Sequence, residues 1–167
     1  MTSESYCRAR TEFDGQQKIF DYWRQCAGLR RLPSRKDLDP ATIPGLLPNI
    51  CLIDVEPDIH TSVVRLAGSA VRGVYGCEIT GKRLNELGWG TRSAYWEPIY
   101  RRVISEQVPM IGTVRGPTMW RDHVVLHWLR LPLADEGRQV NKILCYDFVV
   151  PSVDQRDEPE YRELLSA

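Results

Sequence analysis

Apolar residues Phe13, Ile19, Phe20, Tyr22, Trp23 and Cys26 recur at helical spacings, while Lys18, Asp21 and Arg24 occupy the remaining surface, which predicts an amphipathic helix over residues 13–27. Gly28 is placed to end it, and Pro33 blocks continuation through the basic stretch that follows. Asp39 and Pro40 read as an N-cap and a first helical residue, opening a short helix that Pro48 closes. Residues 49–56 and 61–66, rich in Ile, Leu and Val and separated by Pro57 and Asp58, predict two strands of a hairpin. Glycines then break residues 67–87 into short helices and turns. Tyr95, Ile99 and Val103, with Trp96, Tyr100 and Ile104 one turn round, predict the longest central helix over 91–106. Residues 110–114, 123–134 and 140–150 complete the pattern as three antiparallel strands.

Polarity hardly alternates in the second of these strands. Val124, Leu126 and Trp128 share one face while Val125, Leu129 and Leu131 share the other, so both faces need apolar cover. The short helices are expected on one face, and the N-terminal helix or a second subunit on the other. The chain, with no internal repeat, divides into a flexible N-terminus (1–12), a helical extension (13–48), a core (49–151) and a tail (152–167). In the tail, Tyr161, Leu164 and Leu165 predict at most a helical turn or two.

A length of 167 residues and 43% hydrophobic composition fit one folded domain. Twenty-two basic and twenty-two acidic side chains cancel, which removes the general positive field that nucleic acid or an anionic membrane would require. The longest apolar run, 143–150, contains Asp147 and is far shorter than the roughly 20 residues of a membrane span. The polar first ten residues lack the apolar core of a secretion signal, so a cytoplasmic location is expected. Cys7, Cys26, Cys51, Cys77 and Cys145 are scattered and read as small buried hydrophobes kept reduced.

Candidate chemistry is sparse. His123 and His127 lie on a strand, roughly 13 Å apart, too far to share a metal ion. Asp122, His123, His127 and Asp147 form the best catalytic set the chain offers, but no nucleophile elbow, phosphate loop or His-Glu-x-x-His word accompanies them. Asp147 reads equally well as a polar residue at a strand edge. Trp96, Tyr100, Trp120, His127 and Trp128 are the pocket candidates, because several aromatic rings either enclose a planar ligand or fill a core. Phe20 and Trp23 carry the apolar stripe of the first helix and are the candidate homodimer interface. Arg30, Arg31, Arg35 and Lys36 read as a solvated linker or as a patch for an acidic partner.

The words Arg65-Leu66-Ala67-Gly68-Ser69-Ala70 and Tyr75-Gly76-Cys77-Glu78-Ile79-Thr80-Gly81-Lys82-Arg83-Leu84 resemble a stretch of the bacterial PAS_5 family. Phe20-Asp21-Tyr22-Trp23, Leu32-Pro33-Ser34-Arg35 and Leu46-Leu47-Pro48 resemble that family's opening, and residues 131–137 its late hairpin. The resemblance spans most of residues 18–150. It implies an α+β, PAS-like fold: a five-stranded antiparallel sheet with short helices on one face and the N-terminal amphipathic helix. It also implies a sensory or regulatory module, since such domains share a fold while differing in ligand. Relatives that hold haem take an axial histidine from the long central helix, and residues 91–108 contain none; the Asn-Cys-Arg-Phe word of flavin photosensors is also missing, so no cofactor is expected.

The leading expectation is therefore a stand-alone, non-catalytic PAS-type domain that acts by binding a small apolar or aromatic ligand, a signalling partner protein, or both. Its rivals are a cone-shaped α+β enzyme or carrier using His127 and Asp147, and a ligand-free scaffold.

Overall fold

The computed structural model describes residues 3–118, 120–152 and 159–164, with side chains of the first helix from Phe13 onward. Helix α1 (Ser3–Ala27) already has helical backbone at Ser3, so from that residue on the expected flexible N-terminus is the first turns of α1. Gly28 ends it in the left-handed region at φ 59°, its N–H bonding the carbonyls of Arg24 and Gln25. Three 3-10 turns follow (Arg35–Asp37, Pro40–Thr42 and Pro44–Asn49). The Asp39 side chain caps the second turn by accepting from the Ala41 N–H at 3.0 Å.

Strands β1 (Ile50–Asp54), β2 (Val63–Ala67), β3 (Met110–Arg115), β4 (Val124–Leu133), β5 (Lys142–Pro151) and β6 (Glu160–Glu163) form one antiparallel sheet in the order β2-β1-β5-β4-β3-β6. Between β2 and β3 lie α2 (Val71–Tyr75) and α3 (Ser93–Arg101), the latter continued by a π turn at Arg102–Glu106. The sheet thus has six strands, not five. Tail residues expected to make a helical turn instead extend the β3 edge, with Tyr161 opposite Gly112; Leu165 lies outside the described residues. Pairing along an open edge satisfies backbone groups that a short isolated helix could not. Arg102 holds the added strand through Glu163 at 2.7 Å.

Gly112 makes the sixth strand possible. A Cβ there would overlap the Glu160 carbonyl oxygen and come within 2.6 Å of the Trp128 ring and 2.8 Å of Tyr161. Gly112→Ala is expected to cost about 1–3 kcal/mol through overpacking and to expose the amides of β6. Hydrogen exchange at residues 160–163 reads that loss directly.

Register fixes which side chains share a face. His127 pairs with Phe148, Trp128 with Asp147, and Arg130 with Cys145. Trp128, Arg130, Cys145 and Asp147 therefore point to the inner face, under α2 and α3. His127, Tyr146 and Phe148 point to the outer face, where Phe13 of α1 meets His127 and Phe148 edge-on at 4.8 and 5.1 Å. Both faces are covered, as the near-continuous apolar pattern of β4 requires. Cys51 and Cys145 are buried as expected, whereas Cys26 is half-buried and Cys77 is exposed.

Asp54 ties three strands together, meeting Lys142 of β5 at 2.5 Å and Arg65 of β2 at 2.6 Å. Burial alone would raise its carboxyl, but the two cations outweigh it and hold the group below its ordinary 3.8. The folded carboxyl is the stronger acid, so this stabilisation is full above about pH 4 and lost as pH falls through the folded value. Asp54→Asn is expected to flatten the acid limb of a stability-against-pH curve below pH 4, measured by urea unfolding.

Candidate functional site

The inner face of the sheet is built around one ion pair. Arg130 of β4 reaches across to Asp147 of β5, with Nη1 2.5 Å from one carboxylate oxygen and Nη2 3.2 Å from the other, and each side chain is 1% exposed. Arg130 Nη1 also donates to the Leu129 carbonyl at 2.9 Å, and Nε donates to the Tyr100 hydroxyl at 3.2 Å. Tyr75, at the end of α2, lies near the Asp147 carboxylate and favours its charged form. Asn49 Nδ2 donates to the Asp147 carbonyl oxygen at 3.0 Å, fixing the strand below the pair.

Aromatic rings enclose the guanidinium. Its central carbon lies 5.4 Å from the Trp96 ring, 5.6 Å from Trp128 and 5.9 Å from Tyr100, all within cation–π range. Trp89 extends the cluster, stacked on Trp96 at 6.0 Å and on Tyr100 at 5.7 Å. Tyr95 closes one side, its hydroxyl accepting from Trp128 Nε1 at 2.9 Å and donating to the Thr113 carbonyl at 3.0 Å. Helix α3 supplies Tyr95, Trp96, Ile99 and Tyr100, and its helical spacing turns Trp96, Ile99 and Tyr100 onto the sheet. Two polar atoms remain open, since Trp89 Nε1 and Trp96 Nε1 are buried without a partner.

Electrostatics favour a fixed pair over a titrating one. Burial pushes the Asp147 carboxyl above its ordinary range, while Arg130 and Tyr75 pull it back. Burial also acts against Arg130, but the Asp147 charge holds its guanidinium firmly protonated. Tyr100 is pushed far up by burial, so its hydroxyl stays neutral.

The pocket candidates do not all meet here. Trp96, Tyr100 and Trp128 share the cluster, but His127 does not: strand alternation sends it to the outer face, stacked on Phe148 at 4.9 Å. Trp120 is 79% exposed, because it sits in the β3–β4 loop beyond the last register pair, Arg115 with Val125, where there is no sheet face to pack on. Opposite faces also separate His127 from Asp147, which removes the pairing that the enzyme reading required. Asp147 is buried in a central strand, not exposed at an edge. Among the described residues, no three His, Cys, Asp or Glu side chains are grouped to hold a metal ion.

Phe20 and Trp23 are buried within the chain itself. Trp23 is 3% exposed, stacks on Phe20 at 5.9 Å and donates its indole N–H to the Pro132 carbonyl at 2.9 Å. The outer face of β4 and β5 is apolar and adjacent, so the stripe expected to form a dimer seam is covered by its own sheet. The basic stretch is likewise divided: Arg30 pairs with Asp37 at 2.9 Å, and Arg31 donates to the Glu106 carbonyl at 2.7 Å.

A family model described as PAS domain, PAS_5, matches residues 12–147. The chain belongs to the PAS domain family. Its sheet order, β2-β1-β5-β4-β3 before β6 is added, carries the family's α+β architecture through the helices that cover the inner face. No curated protein matches this PAS domain. Among solved structures it is similar to an RNA-binding light-oxygen-voltage receptor, with 17% identity and a TM-score of 0.50, over 70% of this chain and 35% of that one. The chain thus spans about a third of that receptor's length, and at this identity the likeness is one of fold. No described helix of the PAS domain is long and apolar enough to cross a membrane.

Arg130 is not among the residues that the sequence pattern singles out. Its signal was a lone cation inside the apolar run Val124–Leu133, matched by a lone carboxylate inside residues 143–150.

Proposed function

We propose that this chain is a non-catalytic sensory or regulatory PAS domain whose interior is a structural core, so that its signalling passes through its surface. The observation that carries this reading is the Arg130–Asp147 pair enclosed by Trp96, Tyr100 and Trp128, because the guanidinium occupies the space those rings would otherwise offer a planar ligand. Family membership supports the regulatory role, and the separation of His127 from Asp147 supports the absence of catalysis.

One observation favours a second reading. The unpartnered indole N–H groups of Trp89 and Trp96 are donors in an otherwise satisfied site, and a small ligand with an oxygen acceptor beside them would make the interior a sensor pocket. Unfolding, desalting and refolding the protein distinguishes the two. A structural core refolds to its original thermal midpoint with a native mass equal to the chain or a whole multiple of it. A midpoint restored only by adding back the extracted small molecules, together with an adduct that Trp96→Phe abolishes, would establish the interior pocket instead.

A further inference from the structure

On the outer face, a groove of about 450 Å³ lies between the sheet and the 3-10 turns that precede β1. Its floor is Ile50, Leu52, Leu66 and Leu144, and its wall includes Ile43 and Leu47. This volume falls within the roughly 300–1,000 Å³ of small-molecule sites. It leaves apolar surface in water, with Leu66 at 49% exposure on the floor.

The wall is fixed before any ligand arrives. Ser34 and Asp37 close a capping box, the Tyr22 hydroxyl accepts from the Asp39 N–H at 2.6 Å and donates to its carbonyl at 3.1 Å, and Ala70 N–H donates to the Pro48 carbonyl at 2.8 Å. Gly68 allows the close approach at the groove's end, since a Cβ there would overlap the carbonyls of Leu47 and Pro48.

Polar side chains are few. Among the described residues, Arg35 is the only charged one lining the groove, and Ser69 supplies the only side-chain hydroxyl. Nearby carboxylates are already engaged: Asp37 with Arg30 and the Ser34 N–H, Asp39 with the Ala41 N–H. Among the described residues the Arg35 side chain has a single partner, the Leu38 carbonyl at 3.1 Å, and forms no ion pair.

We propose that this groove binds an amphipathic carboxylate, with its apolar body along Leu52 and Leu66 and its carboxylate on the Arg35 guanidinium. An apolar trough ending in one unneutralised, fork-shaped donor complements a single anionic head on a hydrophobic body. A neutral lipid would leave Arg35 unanswered, and an acidic peptide would place several charges on an apolar floor. The site is separate from the interior cluster and does not depend on whether that cluster holds a ligand. Bound there, the ligand would bridge the segment after α1 to β1 and β2, joining the extension to the sheet.

The test is titration of the full chain with sodium decanoate by calorimetry, with decanol as the uncharged control and amide NMR shifts to locate binding. Saturable binding is expected, with shifts at residues 35–47, 52 and 66. Decanol, Arg35→Gln and Leu66→Glu should each weaken it about tenfold or more, the scale of a lost charge-assisted hydrogen bond. Leu66→Glu acts by repulsion from an already half-exposed position, so it serves even if Arg35→Gln fails to fold. Absence of saturation at millimolar decanoate would overturn the proposal. Equal affinity for decanol would do the same, as would shifts confined to another face. Binding that disappears as protein concentration rises would assign the groove to a second copy of the chain and reject the ligand.

Discussion

Asp147→Ala is expected to destabilise the fold by about 3–5 kcal/mol, the cost of leaving one buried charge uncompensated. Arg130 is 1% exposed and cannot reach water without moving Trp96, Tyr100 and Trp128, so truncation strands its charge among rings. At roughly 2–4 °C per kcal/mol for a chain of this size, the thermal midpoint should fall by about 6–20 °C. Replacing both partners together, Arg130→Met with Asp147→Leu, should cost much less than the two single changes added, because neither charge is then buried alone. Urea unfolding of the four proteins at one concentration gives the coupling directly. A single-mutant loss below 1 kcal/mol would mean that water already reaches the pair.

Trp23→Glu should be comparably damaging, with a loss of about 3–5 kcal/mol. The substitution removes a large buried ring, orphans the Pro132 carbonyl that now accepts from Trp23 Nε1, and places a carboxylate beside Phe20 and the outer face of the sheet. Trp23→Phe keeps most of the packing and should cost only about 1 kcal/mol, chiefly the hydrogen bond. Read from the helix stripe alone, the same Trp23→Glu change would be expected to split a dimer while sparing the fold. Combined unfolding and solution-mass measurements separate the outcomes: lost stability follows from intramolecular docking, whereas intact stability with halved mass would restore the dimer seam.

The strands, their antiparallel pairing and the double coverage of β4 are legible in the chain because each rests on local periodicity. So are the stop at Gly28 and the cap at Asp39, which depend on residues a few positions apart. The inner site is not legible in the same way. Whether His127 or Trp128 faces Asp147 is decided by register across a hairpin, and a shift of one residue exchanges the two faces. Trp120 has the composition of a pocket residue and the position of a loop tip, a difference that only the length of β3 and β4 settles. The tail gives no strand signal of its own; β6 forms because Gly112 leaves room on the neighbouring edge. Arg130 could have been found by asking what a single cation in a strand buried on both faces must pair with, since an unpaired one would not be tolerated.

The most direct test of the central claim, that the interior is a closed structural core around Arg130 and Asp147, is the NMR signal of the Arg130 Nε–H. That proton is donated to Tyr100 within a ring of aromatic side chains. A ring-shifted resonance is expected, its exchange with solvent as slow as that of the core strand amides and unchanged after the protein has been unfolded and refolded free of small molecules. A signal that exchanges as fast as a surface arginine, or that moves when a co-purified molecule is removed, would contradict it and make the interior a ligand site.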